Sequence, residues 1–112
     1  MKEVATVFVD VGDEVEVPPE GTLSRVLYSD AGIRLVVFAF DEGQELTDHA
    51  AGVPAIVQVM SGRLEVTLDG VVSELGPRSW VRMPAGLSHA VRALEPSVML
   101  LTLLKGASAA SR

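Results

Sequence analysis

Apolar residues along this chain fall in short runs, and a turn signal closes each run eight to twelve residues after the last. Residues 4–9 alternate loosely and predict a first strand, with a turn at 10–13 around Gly12. Val15 and Val17 flank Glu16 before Pro18-Pro19 and Gly21 stop the run; a proline pair cannot lie inside a central strand, so this stretch is an edge or a loop. Residues 23–28 predict a strand closed by Ser29-Asp30-Ala31-Gly32. Residues 33–40 are almost wholly apolar, as expected of a strand buried on both faces.

Residues 41–52 read as the longest irregular stretch, the kind of segment on which a rigid sheet carries binding residues. Strands are expected again at 54–60 and, after Ser61-Gly62, at 63–68, where R-L-E-V-T-L alternates cleanly. Asp69-Gly70 is the strongest short hairpin signal in the chain and leads into 71–75. Short strands follow at 79–83, 89–93 and 97–104, separated by Pro84-Ala85-Gly86 and Glu95-Pro96. No segment carries a helical period. Many short strands at this spacing predict an all-β sandwich or barrel. Residues 1–105 are expected to form one barrel domain and residues 106–112, small and polar, a disordered tail.

Composition narrows the functional classes. The net charge of −6 argues against binding a phosphate backbone, which needs clustered Lys and Arg, and against an anionic membrane surface. The absence of Cys excludes disulfides, thiolate metal sites and a cysteine nucleophile. The first residues scatter acids through MKEVATVFVDVGDEVEV without a continuous apolar core, so no signal peptide is expected and the default location is the cytoplasm. No serine has the G-x-S-x-G context of a nucleophile elbow, and no glycine-rich phosphate loop is present.

The candidate chemistry centres on the only two histidines, His49 and His89. Each sits where an apolar strand pattern meets a Gly/Pro turn, and a closed antiparallel barrel can bring such distant positions to one cavity. Gln58 is the polar residue nearest at hand on the 54–60 strand, but alternation from Ala55 turns Val57 and Val59 inward and Gln58 outward. Met60, Met83 and Met99 are core filler or adaptable cavity lining. Trp80 and Arg82 share a parity that faces the outside of their strand, toward solvent or a partner subunit.

With the turns placed, the two histidine stretches resemble the cupin family, over roughly residues 33–104. The first cupin motif reads Gly, five residues, His-x-His, three or four residues, Glu, six residues, Gly. Gly43, His49 and Gly62 match it; its second His falls on Ala51 and its Glu on Ala55. The second motif reads Gly, five residues, Pro-x-Gly, two residues, His, three residues, Asn. Pro84, Gly86 and His89 match, while the opening Gly falls on Arg78 and the closing Asn on Ala93.

The resemblance implies a cupin-type double-stranded β-helix, a jelly-roll barrel, and pairing into a homodimer through sheet faces. The apolar excess of 33–40 and 97–104 agrees with such pairing. It also implies that His49 and His89 are what remains of a four-ligand site for a divalent metal such as Zn, Fe, Mn or Ni. Two imidazoles alone hold a first-row metal weakly; catalytic zinc takes three protein ligands, and non-haem iron two His and a carboxylate. Three functions compete. The first is a small cupin that binds a small, mostly apolar molecule in the barrel, with weak or no metal, through His49, His89, Gln58 and Met83. The second is a metal-dependent dioxygenase or isomerase with a substituted third ligand. The third is a non-catalytic dimeric interaction domain.

Overall fold

The computed structural model describes residues 4–106, apart from the side chains of Asp48 and His49. Among the described residues nine strands are present: β1 (Thr22–Ser29), β2 (Ile33–Phe40), β3 (Glu45–His49), β4 (Ala55–Ser61), β5 (Leu64–Leu68), β6 (Val71–Leu75), β7 (Trp80–Met83), β8 (His89–Ala93) and β9 (Ser97–Leu104). They form a five-stranded sheet in the order β1-β2-β9-β4-β7 and a four-stranded sheet in the order β3-β8-β5-β6, with every pairing antiparallel. The fold is all-β and has the two-sheet form of a jelly-roll barrel. Among the described residues no helix is long and apolar enough to cross a membrane.

The core lies between the sheets and follows the period of two. Ala55, Val57 and Val59 of β4, Leu64 and Val66 of β5, Val91 and Ala93 of β8, Phe40, Met83 and Met99 make one buried cluster. Phe38 and Phe40, two residues apart on β2, stack with ring centroids 6.0 Å apart. Small branched residues therefore supply most of the burial, each worth roughly 1.5–3 kcal/mol when fully removed from water.

A second cluster sits on the outer face of the larger sheet: Val37 and Ala39 of β2 with Val98 and Leu100 of β9. Val11, Val15 and Val17, on the segment that precedes β1, pack against it. This explains why β2 and β9 read as continuous apolar runs. The chain's own N-terminal segment covers part of that apolar face.

Two local expectations need correction. Residues 4–9 join no strand, and Val4, Val7 and Val9 are 88%, 74% and 99% exposed. Val4, Thr6 and Phe8 lie beside Tyr28, Ile33 and Leu35 without forming a ladder with them. Conversely, the stretch expected to be irregular contains β3. Only Leu46 among its five residues is a large apolar side chain, too little for a strand to be read from pattern alone. The tail expected at 106–112 falls outside the described residues except for Gly106, whose N–H donates to the Gly32 carbonyl at 3.0 Å.

Turn chemistry accounts for the hairpins. Asp69 and Gly70 both take positive φ, 48° and 85°, as a two-residue hairpin turn of the primed type requires. Asp30 holds the β1–β2 turn: its carboxylate accepts from the backbone N–H of Gly32 and Ile33 at 2.8 and 2.9 Å and from the Tyr28 hydroxyl at 2.8 Å.

Candidate functional site: the barrel interior at His89

Strand β8 alternates, and its inward residues are His89, Val91 and Ala93. His89 is half-buried, and its Nδ1 lies 3.2 Å from the Leu87 carbonyl oxygen. A carbonyl can only accept, so Nδ1 carries the proton and donates; in the neutral ring Nε2 is then the nitrogen bearing the lone pair.

The partner of β8 on its outer side is β3. Leu46 stands opposite Val91, and His49 stands opposite His89. Between these two pairs β3 spends three residues where β8 spends two, so β3 bulges by one residue. The bulge brings the backbone of His49 into direct register with His89.

Two compartments meet at His89. The first, of about 260 Å³, is lined by Phe38, Leu46, Thr47, Val57, His89, Val91, Met99 and Leu101. The second, of about 330 Å³, is lined by the loop 50–53 with Ala55, Met83, His89, Leu101 and Leu103. They lie in sequence along the barrel: β4 contributes Val57 to one and Ala55 to the other, and β9 passes from Met99 through Leu101 to Leu103. The register agrees, since Ala55 pairs with both Met83 and Leu103, and Val57 with Leu101. The loop with Ala51 is tied to the β7–β8 turn by a hydrogen bond from Gly86 N–H to the Ala51 carbonyl at 2.8 Å.

Of the residues singled out from sequence, Met83 is buried and shares the second compartment with His89. Gln58 does not join them. It lies between the inward Val57 and Val59 and pairs with Trp80 and Leu100, residues of the outer face, so it faces away from the cavity and is not a ligand-binding residue there. Trp80 and Arg82 are exposed, as their parity requires, Trp80 to 58%. Leu46, Val91, Leu101 and Leu103 were not foreseen as lining. Alternation alone could have named those on β8 and β9, but not Leu46, whose strand was missed.

Among the described residues the donors at the motif positions fall short of a metal site. Ala51 and Ala55, the positions that the cupin motif gives to histidine and glutamate, are methyl-bearing wall beside His89. Among the described residues no three His, Cys, Asp or Glu side chains come together to hold an ion. With His49 added, the chain offers two imidazoles and no carboxylate at the motif positions, short of the three or four donors such sites use.

The motif survives better in its backbone than in its ligands. Gly43, Gly62 and Gly86 have φ of 83°, 83° and 82°, and Arg78, where the motif has glycine, takes 76°. At Gly62 the reason is also steric: a Cβ there would collide with Ser97 Oγ and the Pro96 carbonyl and come within 2.6 Å of Ser97 Cα.

No family model matches the sequence, and no curated protein matches it. Solved structures do. A conserved protein of unknown function from Streptococcus pyogenes, SPY1581, is 35% identical, with 93% of this chain and 90% of that one covered and a TM-score of 0.80. A cupin superfamily protein from Desulfitobacterium hafniense is 20% identical over 86% of this chain and 88% of its own, with a TM-score of 0.81. A cupin 2 conserved barrel domain protein from Leptotrichia buccalis is 27% identical over 85% of this chain and 46% of its own, with a TM-score of 0.80. With its two-sheet barrel and motif turns kept and two motif ligands replaced by alanine, this chain belongs to the cupin superfamily, in the form of a small single-domain cupin.

Proposed function

We propose that this protein binds a small, mostly apolar molecule inside the barrel and does so without a resident metal ion. One observation carries the reading. The walls of both compartments are aliphatic, aromatic and thioether side chains, and among the described lining residues only Thr47 and His89 bring polar side chains. Such a site recognises its ligand by shape and apolar contact, with one or two hydrogen bonds to set orientation. The imidazole, its Nδ1–H directed at the Leu87 carbonyl, is held in one ring orientation for that purpose.

The direct test combines two measurements on protein purified without chelator. Metal analysis is expected to find well under one equivalent of Fe, Mn, Ni or Zn. A thermal-shift screen of small apolar alcohols, ketones and phenols is expected to raise the melting temperature for some of them. Stoichiometric metal that is lost from His49→Ala and His89→Ala variants would establish the metal-dependent enzyme instead.

We further propose that two copies pair through the β1 side of the barrel. Strand β1 is the edge of its sheet, and Leu23 and Val26 on it are each 46% exposed. The apolar residues 4–9, which have no ladder in this chain, supply a β-prone segment that a second copy's open edge can accept. Size-exclusion chromatography at micromolar concentration is expected to give a dimer, and removal of residues 1–9 to give a monomer. A wild-type monomer contradicts the pairing.

A further inference from the structure

We infer that the open edge of β7 is a docking site for an extended acidic segment of another protein, added to the larger sheet as a further strand. The site lies away from the cavity and at the opposite end of the sheet from β1. β4 pairs with β7 on one side; on the other, β7 ends the sheet with no ladder among the described residues. Exposed apolar surface collects on β7 and on the strand before it. Apart from residues 4–9 and β1, the large apolar side chains left exposed among the described residues are Val71, Val72 and Trp80. Val71 and Val72 lie on β6, which ends the smaller sheet and is joined to β7 by residues 76–79. Trp80 and Arg82, two residues apart, point to the same outer face. Both are exposed, and among the described residues Arg82 forms no ion pair and the Trp80 indole no hydrogen bond.

Charge decides which segment fits. The chain holds fifteen acidic residues, yet β4, β7 and β9, three neighbouring strands, contain no Asp or Glu. Arg82 is their one charged residue, and the exposed Arg78 stands just before β7. A strand added beside β7 puts alternate side chains opposite Trp80 and Arg82 on the outer face. A carboxylate there meets the Arg82 guanidinium, whereas an amine meets a like charge. The side chains between them face inward beside Val81, which packs against the core, and this favours apolar residues. A segment in which acids alternate with valine or isoleucine therefore suits both faces. Main-chain bonds supply the affinity, and Trp80 and Arg82 the selectivity.

Trp80 is the chain's only tryptophan, so its emission reports occupancy of this edge directly. The probes are three blocked octapeptides without aromatic residues, titrated into the full chain. In the first, glutamate alternates with valine. In the second, lysine replaces the glutamate. The third is the acidic peptide with its backbone nitrogens methylated, which leaves it no donors for a ladder. The acidic peptide is expected to move the Trp80 emission to shorter wavelength. It should bind about fivefold or more tightly than the lysine peptide, the scale of an exposed charge pair set against a like-charge contact. Added salt should narrow that gap. Arg82→Glu should reverse the order of the two peptides, and the methylated peptide should leave the emission unchanged. Equal or tighter binding of the lysine peptide to the wild type overturns the acidic partner. Binding of the methylated peptide as tightly as its parent overturns strand addition. No change in emission with any of the three overturns the site itself. A shift that follows protein concentration alone gives the edge to a second copy of this chain and overturns the proposal as well.

Discussion

His49 and His89, forty residues apart in the chain, are direct register partners across β3 and β8. The pairing depends on the one-residue bulge between Leu46 and His49. Without it, Asp48 and not His49 would stand opposite His89. The bulge is what turns a sequence resemblance into a shared location.

That register is open to a chemical check. The chain has no cysteine, so His49→Cys/His89→Cys introduces the only two thiols. Directly opposed residues in an antiparallel pair have Cα atoms about 4.5–5.5 Å apart, within the span of a disulfide. Mild oxidation of the double variant is expected to consume both thiols intramolecularly. Asp48→Cys/His89→Cys should oxidise more slowly. Equal rates, or free thiols in both, would contradict the bulge.

The metal reading makes a gain-of-function prediction. If alanine at 51 and 55 is what denies the site its donors, then Ala51→His/Ala55→Glu supplies the missing imidazole and carboxylate beside His89. Calorimetric titration with Zn²⁺ or Ni²⁺ is expected to show at least a hundredfold gain in affinity over the wild type. Because Ala55 is buried, the variant should lose stability without metal and regain it when metal is added. No gain in affinity would show that these positions do not face His89 as the fold places them.

Gly62 and Arg78 test the backbone side of the motif in opposite directions. Gly62→Ala puts a methyl group into Ser97, a fully buried residue whose Oγ accepts from the Arg63 N–H at 3.0 Å, and it does so at positive φ. A loss of about 2–4 kcal/mol is expected from strain and overpacking together, read by urea denaturation. Arg78→Gly relieves a left-handed arginine. Its gain, offset by the greater freedom of glycine in the unfolded chain, should amount to no more than about 1 kcal/mol.

Acid stability follows from two aspartates. The Ile33 N–H, first, and then the Tyr28 hydroxyl and the Gly32 N–H hold the Asp30 carboxyl below its ordinary value. The N–H groups of Glu20 and Glu42 do the same for Asp41. A carboxylate whose pKa is lower folded than unfolded stabilises the fold above the unfolded value and loses that contribution as pH falls through the folded one. Stability should therefore decline below about pH 4, the ordinary range of aspartate. Asp30→Asn should flatten part of that decline, and an unchanged acid limb in the Asp30→Asn/Asp41→Asn variant would contradict the assignment.

Much of this protein was readable from local chemistry. Strands β1, β2 and β4 through β9 fall within two residues of where apolar runs and turn residues put them, because each is bounded by glycine, proline or aspartate with a definite backbone role. Alternation also oriented β4 correctly, turning Val57 inward and Gln58 outward. It failed where one strand carries almost no apolar residues, at β3, and where an alternating segment, residues 4–9, forms no ladder. Pattern reports what a segment is able to do, while pairing depends on which edges the rest of the fold leaves open.

By itself, then, the order of residues determined eight of the nine described strands, the hairpin turns, the inward faces and the replacement of two motif ligands by alanine. These are consequences of backbone sterics and a period of two, which act over a few neighbouring residues. Tertiary structure alone decided the rest. It covered the outer face of β2 and β9 with Val11, Val15 and Val17, slipped β3 by one residue, and set His89 at the boundary of two apolar spaces. Each of these depends on contacts between segments tens of residues apart, settled only when the sheets close on each other.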